Sequence, residues 1–182
     1  GEATPHNEYL CYERSFDAPA DLCENGRALL HVGAADRLCT VYLNGMTIGE
    51  HDGGYSALCF DITDHLQAKN HLRIEVLDGG LARYPYGKQR KKRGGMWYTE
   101  TSGIWQAVWL ESVPENYIRS LKITPSLRSV TIETEGGEDE KILTLKDSGK
   151  AYKFNGNKAT IDIDSPRLWS PEDPYLYEFT LE

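Results

Sequence analysis

No run of apolar residues in this sequence approaches the roughly 20 that a membrane helix needs, and the amino terminus GEATPHNEYLCYERS has no hydrophobic signal core. The expectation is a soluble, cytoplasmic protein with no membrane partner. Helical periodicity is nearly missing. So is charge of one sign: residues 1–114 carry 11 basic and 15 acidic side chains, and 115–182 carry 9 and 13, so each part sums to −4. Neither half makes a field that would draw nucleic acid. Cysteine is sparse and badly spaced for metal, since Cys11, Cys23, Cys39 and Cys59 all fall in the first third without a CxxC pair. A chain of 182 residues does not need disulfide staples, so buried free thiols are expected, and no metal or cofactor. Neither GxSxG nor P-loop spacing occurs, and the histidines at 6, 31, 51, 65 and 71 are scattered without a serine and aspartate set. Asn7-Glu8 resembles an acid–base dipeptide, but no rigid strand end holds it, and it reads as coincidence.

What is present is a succession of short strand-like runs parted by turn residues, with 17 glycines and eight prolines, which predicts an all-β sandwich or barrel. Strands are expected at Tyr9–Phe16, Arg27–Val32, Cys39–Leu43, Met46–Gly49, Ala57–Asp61, His71–Leu77 and Ile104–Glu111. Asn44-Gly45 sits between the apolar arms Val41-Tyr42-Leu43 and Met46-Thr47-Ile48, and both residues accept the positive φ of a type I′ hairpin turn. One helix-like turn is expected over Asp61–Leu66. Near Pro114 the composition shifts to polar, Thr- and Lys-rich runs at Ser120–Thr124, Val130–Thr134 and Lys141–Lys146, with acidic 135–140 as a solvated turn. A boundary there gives domains 1–114 and 115–182, the second a small sandwich of six or seven strands. It ends on Arg167-Leu168-Trp169-Ser170-Pro171-Glu172-Asp173-Pro174-Tyr175-Leu176-Tyr177, two prolines holding an extended entry into a last strand.

Three stretches invite a functional reading. Lys88-Gln89-Arg90-Lys91-Lys92-Arg93 places five cations in six residues beside Tyr84, Tyr86, Trp97 and Tyr98. Such a run suits a mobile solvated loop, or a basic and aromatic surface reaching toward a sugar; a net charge of −8 argues against nucleic acid. Tyr84, Tyr86, Lys88, Gln89, Trp97 and Tyr98 are the carbohydrate-facing candidates. In TSGIWQAVWLE (101–111), a continuous strand puts Trp105 and Trp109 on one face, opposite Ile104, Val108 and Leu110. Each indole buries roughly 150–250 Å² when covered. Trp105, Trp109 and Trp169 are therefore read as domain-interface or core residues, with an exposed stacking ledge for a sugar ring as the alternative for Trp105 and Trp109. His51-Asp52-Gly53-Gly54-Tyr55 looks like a metal or sugar loop, but two glycines after an aspartate read as a turn of close backbone passage.

Several stretches, in order, resemble the amino-terminal region of glycoside hydrolase family 2, the family of β-galactosidases, β-glucuronidases and β-mannosidases. Tyr12-Glu13-Arg14-Ser15-Phe16 is similar to its Tyr-Arg-Arg-x-Phe strand, and 29–63 to its long hairpin segment. GGMWYTETSGIWQAVWLESVP (94–114) resembles the close of its sugar-binding domain, and RLWSPEDPYLYEFTLE (167–182) the end of its immunoglobulin-like domain. The resemblance implies a jelly-roll, galactose-binding-domain-like sandwich followed by a small immunoglobulin-like sandwich. It also implies one further strand segment before Tyr9, whose lack would leave an unpaired sheet edge. In the family a (β/α)₈ barrel carries the two catalytic glutamates. Such a barrel takes about 250 residues, and the two carboxylates of a retaining enzyme stand about 5–5.5 Å apart, so no catalytic residue carries over. The implied role is non-catalytic: supporting the missing barrel, shaping the rim of its active site, touching carbohydrate weakly, and forming homo-oligomer contacts. A stand-alone carbohydrate-binding module and an adhesion pair of sandwiches are the rival readings.

Overall fold

The computed structural model describes residues 9–23, 26–78, 85, 87–90, 94–137 and 140–182. Chain contacts divide it into two units, Gly1–Pro114 and Glu115–Glu182. Among the described residues the only helical piece is a 3₁₀ turn, Thr63–His65, and no helix is long and apolar enough to cross a membrane.

The first unit contains β1 (Tyr9–Asp17), β2 (Gly26–Val32), β3 (Ala35–Asp36), β4 (Leu38–Leu43), β5 (Met46–Asp52), β6 (Leu58–Asp61), β7 (Lys69–Leu77), β8 (Gln89–Arg90), β9 (Tyr98–Thr99), β10 (Gly103–Ile104) and β11 (Val108–Pro114). One antiparallel sheet runs β1-β7-β4-β5 and a second runs β11-β2-β6, with β3 and β10 as a short antiparallel pair. Alternation sets the inner faces: Cys39, Val41 and Leu43 of β4 point in, and with Ile74 and Val76 of β7 they meet Ala28, Leu30 and Val32 of β2. The layers come close at Gly49, where a Cβ would lie 2.4 Å from the Phe60 ring, so only glycine fits there.

The Asn44-Gly45 turn forms as expected, with φ of 54° and 82°. Its asparagine does more than turn the chain. Asn44 Nδ2 donates to His65 O at 2.8 Å and to Asn70 Oδ1 at 3.0 Å, while Asn44 Oδ1 accepts from His71 N at 2.9 Å. Asn70, buried at 3 % exposure, also accepts from Gln67 N and donates to Gln67 O, so its amide is paired on both ends. The 3₁₀ turn is held by Asp61, whose Oδ1 accepts from Thr63 N and Thr63 Oγ1.

Three expectations need correction. The run Ile104–Glu111 is not one strand: β10 stops at Ile104, Trp105–Ala107 is irregular, and β11 starts at Val108. Gly33 N donates to Ala107 O at that break. The four thiols are free, but only Cys39 is buried; Cys11 and Cys59 are exposed and Cys23 is intermediate. The strand after the hairpin is longer than expected, Met46–Asp52, because a bulge between Val41 and Tyr42 lets β5 stay paired to β4 through Asp52.

The second unit contains β12 (Ile118–Pro125), β13 (Ser129–Gly136), β14 (Lys141–Leu145), β15 (Ala151–Phe154), β16 (Lys158–Asp162) and β17 (Phe179–Leu181). They form two three-stranded antiparallel sheets, β12-β13-β16 and β15-β14-β17. The core is Ile132, Leu143, Leu145 and Ile161, with Tyr152, Phe154 and Phe179 against it. Lys141 is buried at 2 % exposure, and its Nζ donates to Gly137 O and to Gly156 O.

Candidate functional site

Of the carbohydrate-facing candidates, Tyr84 and Tyr86 lie outside the described residues, as do Lys91, Lys92 and Arg93, and the Asn7-Glu8 pair. The structure brings the other four together. β8 and β9 pair in parallel, Gln89 with Tyr98 and Arg90 with Thr99, and Tyr98 N donates to Lys88 O at 2.8 Å. Gln89 is spent on structure, its Oε1 accepting from Thr101 N at 2.7 Å. The Arg90 guanidinium lies 4.7 Å from the Trp97 ring centre. Tyr98 stands 70 % exposed beside them. Cation and indole thus cover one face of each other, while Lys88, Met96 and the Tyr98 ring face solvent and Trp97 is half-buried.

The tryptophans of 101–111 part company at the break after β10, so they do not form a two-ring ledge on one strand. Trp105 donates its indole N–H to Gly54 O at 2.8 Å and its main-chain N–H to Ala34 O at 3.3 Å. Tyr55 meets it edge-on, ring centres 6.0 Å apart at 64°. Trp109, on β11, stacks at 4.7 Å and 5° on His31 of the neighbouring β2. His31 Nε2 lies 2.8 Å from Glu111 Oε2 and 3.9 Å from Cys59 Sγ. Neither tryptophan belongs to the core cluster: Trp105 is 48 % and Trp109 45 % exposed. Trp169 of the second unit is 58 % exposed.

The segment carrying Trp169 is irregular rather than the extended entry expected, bending at 171–173 where Ser170 and Asp173 exchange backbone hydrogen bonds, and its shape has a visible cause. Arg167 Nε donates to Asp173 Oδ2 at 2.8 Å, Arg167 N donates to Tyr177 Oη at 2.7 Å, and the Arg167 guanidinium lies 4.3 Å from the Tyr175 ring centre. Tyr175 Oη then donates to Asp147 at 2.7 Å. The Arg167 hydrogen bond holds the Asp173 carboxyl below its ordinary range.

Two concavities belong to the first unit. A cleft of about 610 Å³ opens between the edge strands β1 and β11, lined by Tyr12, Phe16, Leu30, Ile74, Trp109 and Leu110 among others. Another of about 440 Å³ carries the acidic side chains Glu50, Asp52 and Glu75 beside Tyr9. Among the described residues no group of three His, Cys, Asp or Glu side chains is arranged to hold a metal ion. Among the shifted carboxyls only Asp36 of β3 is moved upward. Burial pushes its carboxyl up, nearby Asp78 adds to this, and Arg37 opposes it. Asp78 accepts from Ser102 Oγ at 2.6 Å.

The sequence pattern reads His51-Asp52-Gly53-Gly54-Tyr55 as a turn of close backbone passage rather than a sugar loop, and gives the Tyr55 ring no role of its own. The signal was there: Tyr55 directly follows Gly53-Gly54, and Gly54 is buried against Asp36 so tightly that a Cβ would lie 2.5 Å from Asp36 Oδ1.

Residues 4–121 match the glycosyl hydrolase 2 galactose-binding domain-like family, and residues 116–182 match the glycosyl hydrolases family 2 domain. A β-galactosidase of Halalkalibacterium halodurans is 24 % identical over 196 residues, covering 94 % of this chain and 18 % of its own length. A β-glucuronidase of Felis catus is 25 % identical over 203 residues, covering 93 % of this chain and 31 % of its own. Among solved structures, a Bacteroides uniformis β-glucuronidase superposes with a TM-score of 0.74 at 25 % identity, over 97 % of this chain and 24 % of that one. The chain thus spans under a third of the length of these relatives.

Proposed function

The chain belongs to glycosyl hydrolase family 2, and we propose accordingly that these residues are the non-catalytic β-sandwich part of a larger glycosidase that hydrolyses O-glycosidic bonds. One observation carries the reading: two family domains tile the chain in order, 4–121 then 116–182, within relatives several times longer. In this role the two sandwiches pack against a catalytic barrel and shape the rim of its active site, with the Lys88, Trp97 and Tyr98 surface toward the sugar.

The surface supports it. Leu121 and Ile123 of β12, with Leu168, Trp169 and Leu176, are all more than 40 % exposed in the second unit. So many uncovered large apolar side chains on one small sandwich suit a partner surface. Trp109 and Trp169 are the tryptophans we assign to that packing.

The test uses the purified 182-residue chain. With p-nitrophenyl β-galactoside and β-glucuronide it should release no nitrophenol, and titration calorimetry with galactose or glucuronate should show no micromolar binding. Turnover, or a micromolar dissociation constant, overturns the reading.

A further inference from the structure

The end of the first sandwich holds a feature that the supporting role does not use. Trp105 lies just past β10 and Tyr55 on the connection from β5 to β6, two segments that meet only through the fold. Their rings stand 6.0 Å apart at 64°, and they stay 48 % and 55 % exposed. The geometry points to a binding corner for one neutral pyranose ring, formed by Trp105 and Tyr55 beside the Asp36 carboxyl.

Rigidity comes first. The indole N–H is fixed on Gly54 O at 2.8 Å, the Trp105 main chain on Ala34 O at 3.3 Å, and Gly53 N on Arg37 O at 3.2 Å. Gly54 is wedged against Asp36 of β3, and β3 is paired to β10, whose Gly103 leaves no room for a Cβ beside Tyr12 Oη. The Trp105 ring is thus fixed through its own N–H, and Tyr55 follows a turn held at Gly53 and Gly54, so little freedom of the indole is lost when a ligand docks.

The chemistry follows from which surfaces remain. With its one donor used, Trp105 offers a π face, and the face of an aromatic ring is its electron-rich part. A pyranose has one face of C–H groups that complements it. The oblique Tyr55 ring closes a second side, so a ring laid on one aromatic abuts the other. Polarity at the corner is acidic: Asp36 sits against Gly54, and the unit as a whole carries net negative charge. A hexuronate would set a second carboxylate near one that burial and Asp78 already disfavour, and a neutral hexoside would not. This goes beyond the supporting role proposed above and needs no barrel.

The experiment is a ¹H–¹⁵N spectrum of the full 182-residue chain titrated separately with methyl β-galactopyranoside, methyl β-glucuronide and myo-inositol. The expected result is a saturable, millimolar movement of the Trp105 indole N–H and the Gly54 and Tyr55 amides with the galactoside. The glucuronide should bind several-fold more weakly and the inositol not at all. Tyr55→Ala should weaken the galactoside by about fivefold, the scale of one aromatic contact, while Tyr55→Phe keeps it. Spectra of both variants away from residues 53–56 and 103–106 should be unchanged, which separates lost binding from lost folding. Overturning results are no saturable movement, movement centred on Trp97, Trp109 or Trp169 instead, or equal binding of the glucuronide. Glycoside turnover by the chain would sink the supporting role and leave this corner untouched; a silent Trp105 would do the reverse.

Discussion

Asp36 illustrates how a single side chain can work against the fold that holds it. Burial, then Asp78, raise its carboxyl pKa in the folded state, with Arg37 only partly opposing. A carboxyl whose folded pKa lies above its unfolded value adds stability only while protonated, and that contribution is lost as pH rises through the folded pKa. At neutral pH its charge is therefore a cost. Asp36→Asn should raise the melting temperature at pH 7, and the gain should shrink toward zero as wild type is itself protonated on acidification. Calorimetry at both pH values reads this, and a fall in melting temperature at pH 7 would refute it. Cysteine gives a second residue-scale test. Cys39 is 1 % exposed and burial pushes its thiol up to about 11, whereas Cys11 and Cys59 face solvent. Thiolate is the reactive form. Ellman's reagent should titrate Cys11 and Cys59 in the native chain and reach Cys39 only in denaturant; native labelling of Cys39, located by peptide mapping, would contradict the burial.

At the scale of elements, the sequence was most legible where one local pattern decides the outcome. Asn44-Gly45 predicts its own hairpin because few residues tolerate two successive positive φ values. Alternation likewise finds β4 and β7, each pairing one buried face with one that is not. It failed at 104–111, where apolar residues on both faces look like a buried strand but the chain is irregular at Trp105–Ala107. That break depends on Gly33 and Ala34, seventy residues earlier, which take Ala107 and Trp105 as backbone partners. A long separation likewise left the Tyr55 ring without a role in the sequence, since its neighbour Trp105 comes fifty positions later. Long-range partners also set how much the hairpin matters. Asn44 joins the turn to His65, Asn70 and His71 through three side-chain hydrogen bonds. At about 1 kcal/mol net for each bond, Asn44→Ala should cost roughly 3 kcal/mol, plus about 1 kcal/mol for alanine at φ of 54°. Asn44→Gly restores only the backbone share. Urea denaturation of the pair separates the two: a glycine variant as stable as wild type would mean that the side-chain network contributes nothing, and equal losses would mean that the left-handed backbone costs alanine nothing.

For the whole molecule, the charged groups are unevenly shared between the two units in what acid does to them. In the second unit three carboxyls are held below their usual range: Glu133 by a hydrogen bond from Lys158 and the charge of Lys122, Asp147 by Tyr175, and Asp173 by Arg167. In the first unit Asp61 is lowered, its burial outweighed by Thr63 and Arg27, while Asp36 is raised. A lowered carboxyl adds stability above its unfolded pKa and loses it as pH falls through the folded pKa. A raised one gains on acidification. Of the three lowered groups of the second unit Asp147 is exposed and Glu133 and Asp173 are partly so, and solvent screening leaves each a weak contribution, but all act in one direction and nothing among the shifted carboxyls there opposes them. Among its described carboxyls the first unit has one shift of each sign. Lowering pH from 6 toward 3 should therefore weaken the second sandwich before the first. Hydrogen exchange resolves this within one chain: the amides of Ile132, Leu143 and Ile161 should lose protection at a higher pH than those of Val41, Ile74 and Val76, which lie in the other core. High salt should narrow the gap, since exposed pairs are screened. Loss of protection in the first core ahead of the second would mean that hydrophobic packing, and not these carboxyls, decides the acid limit.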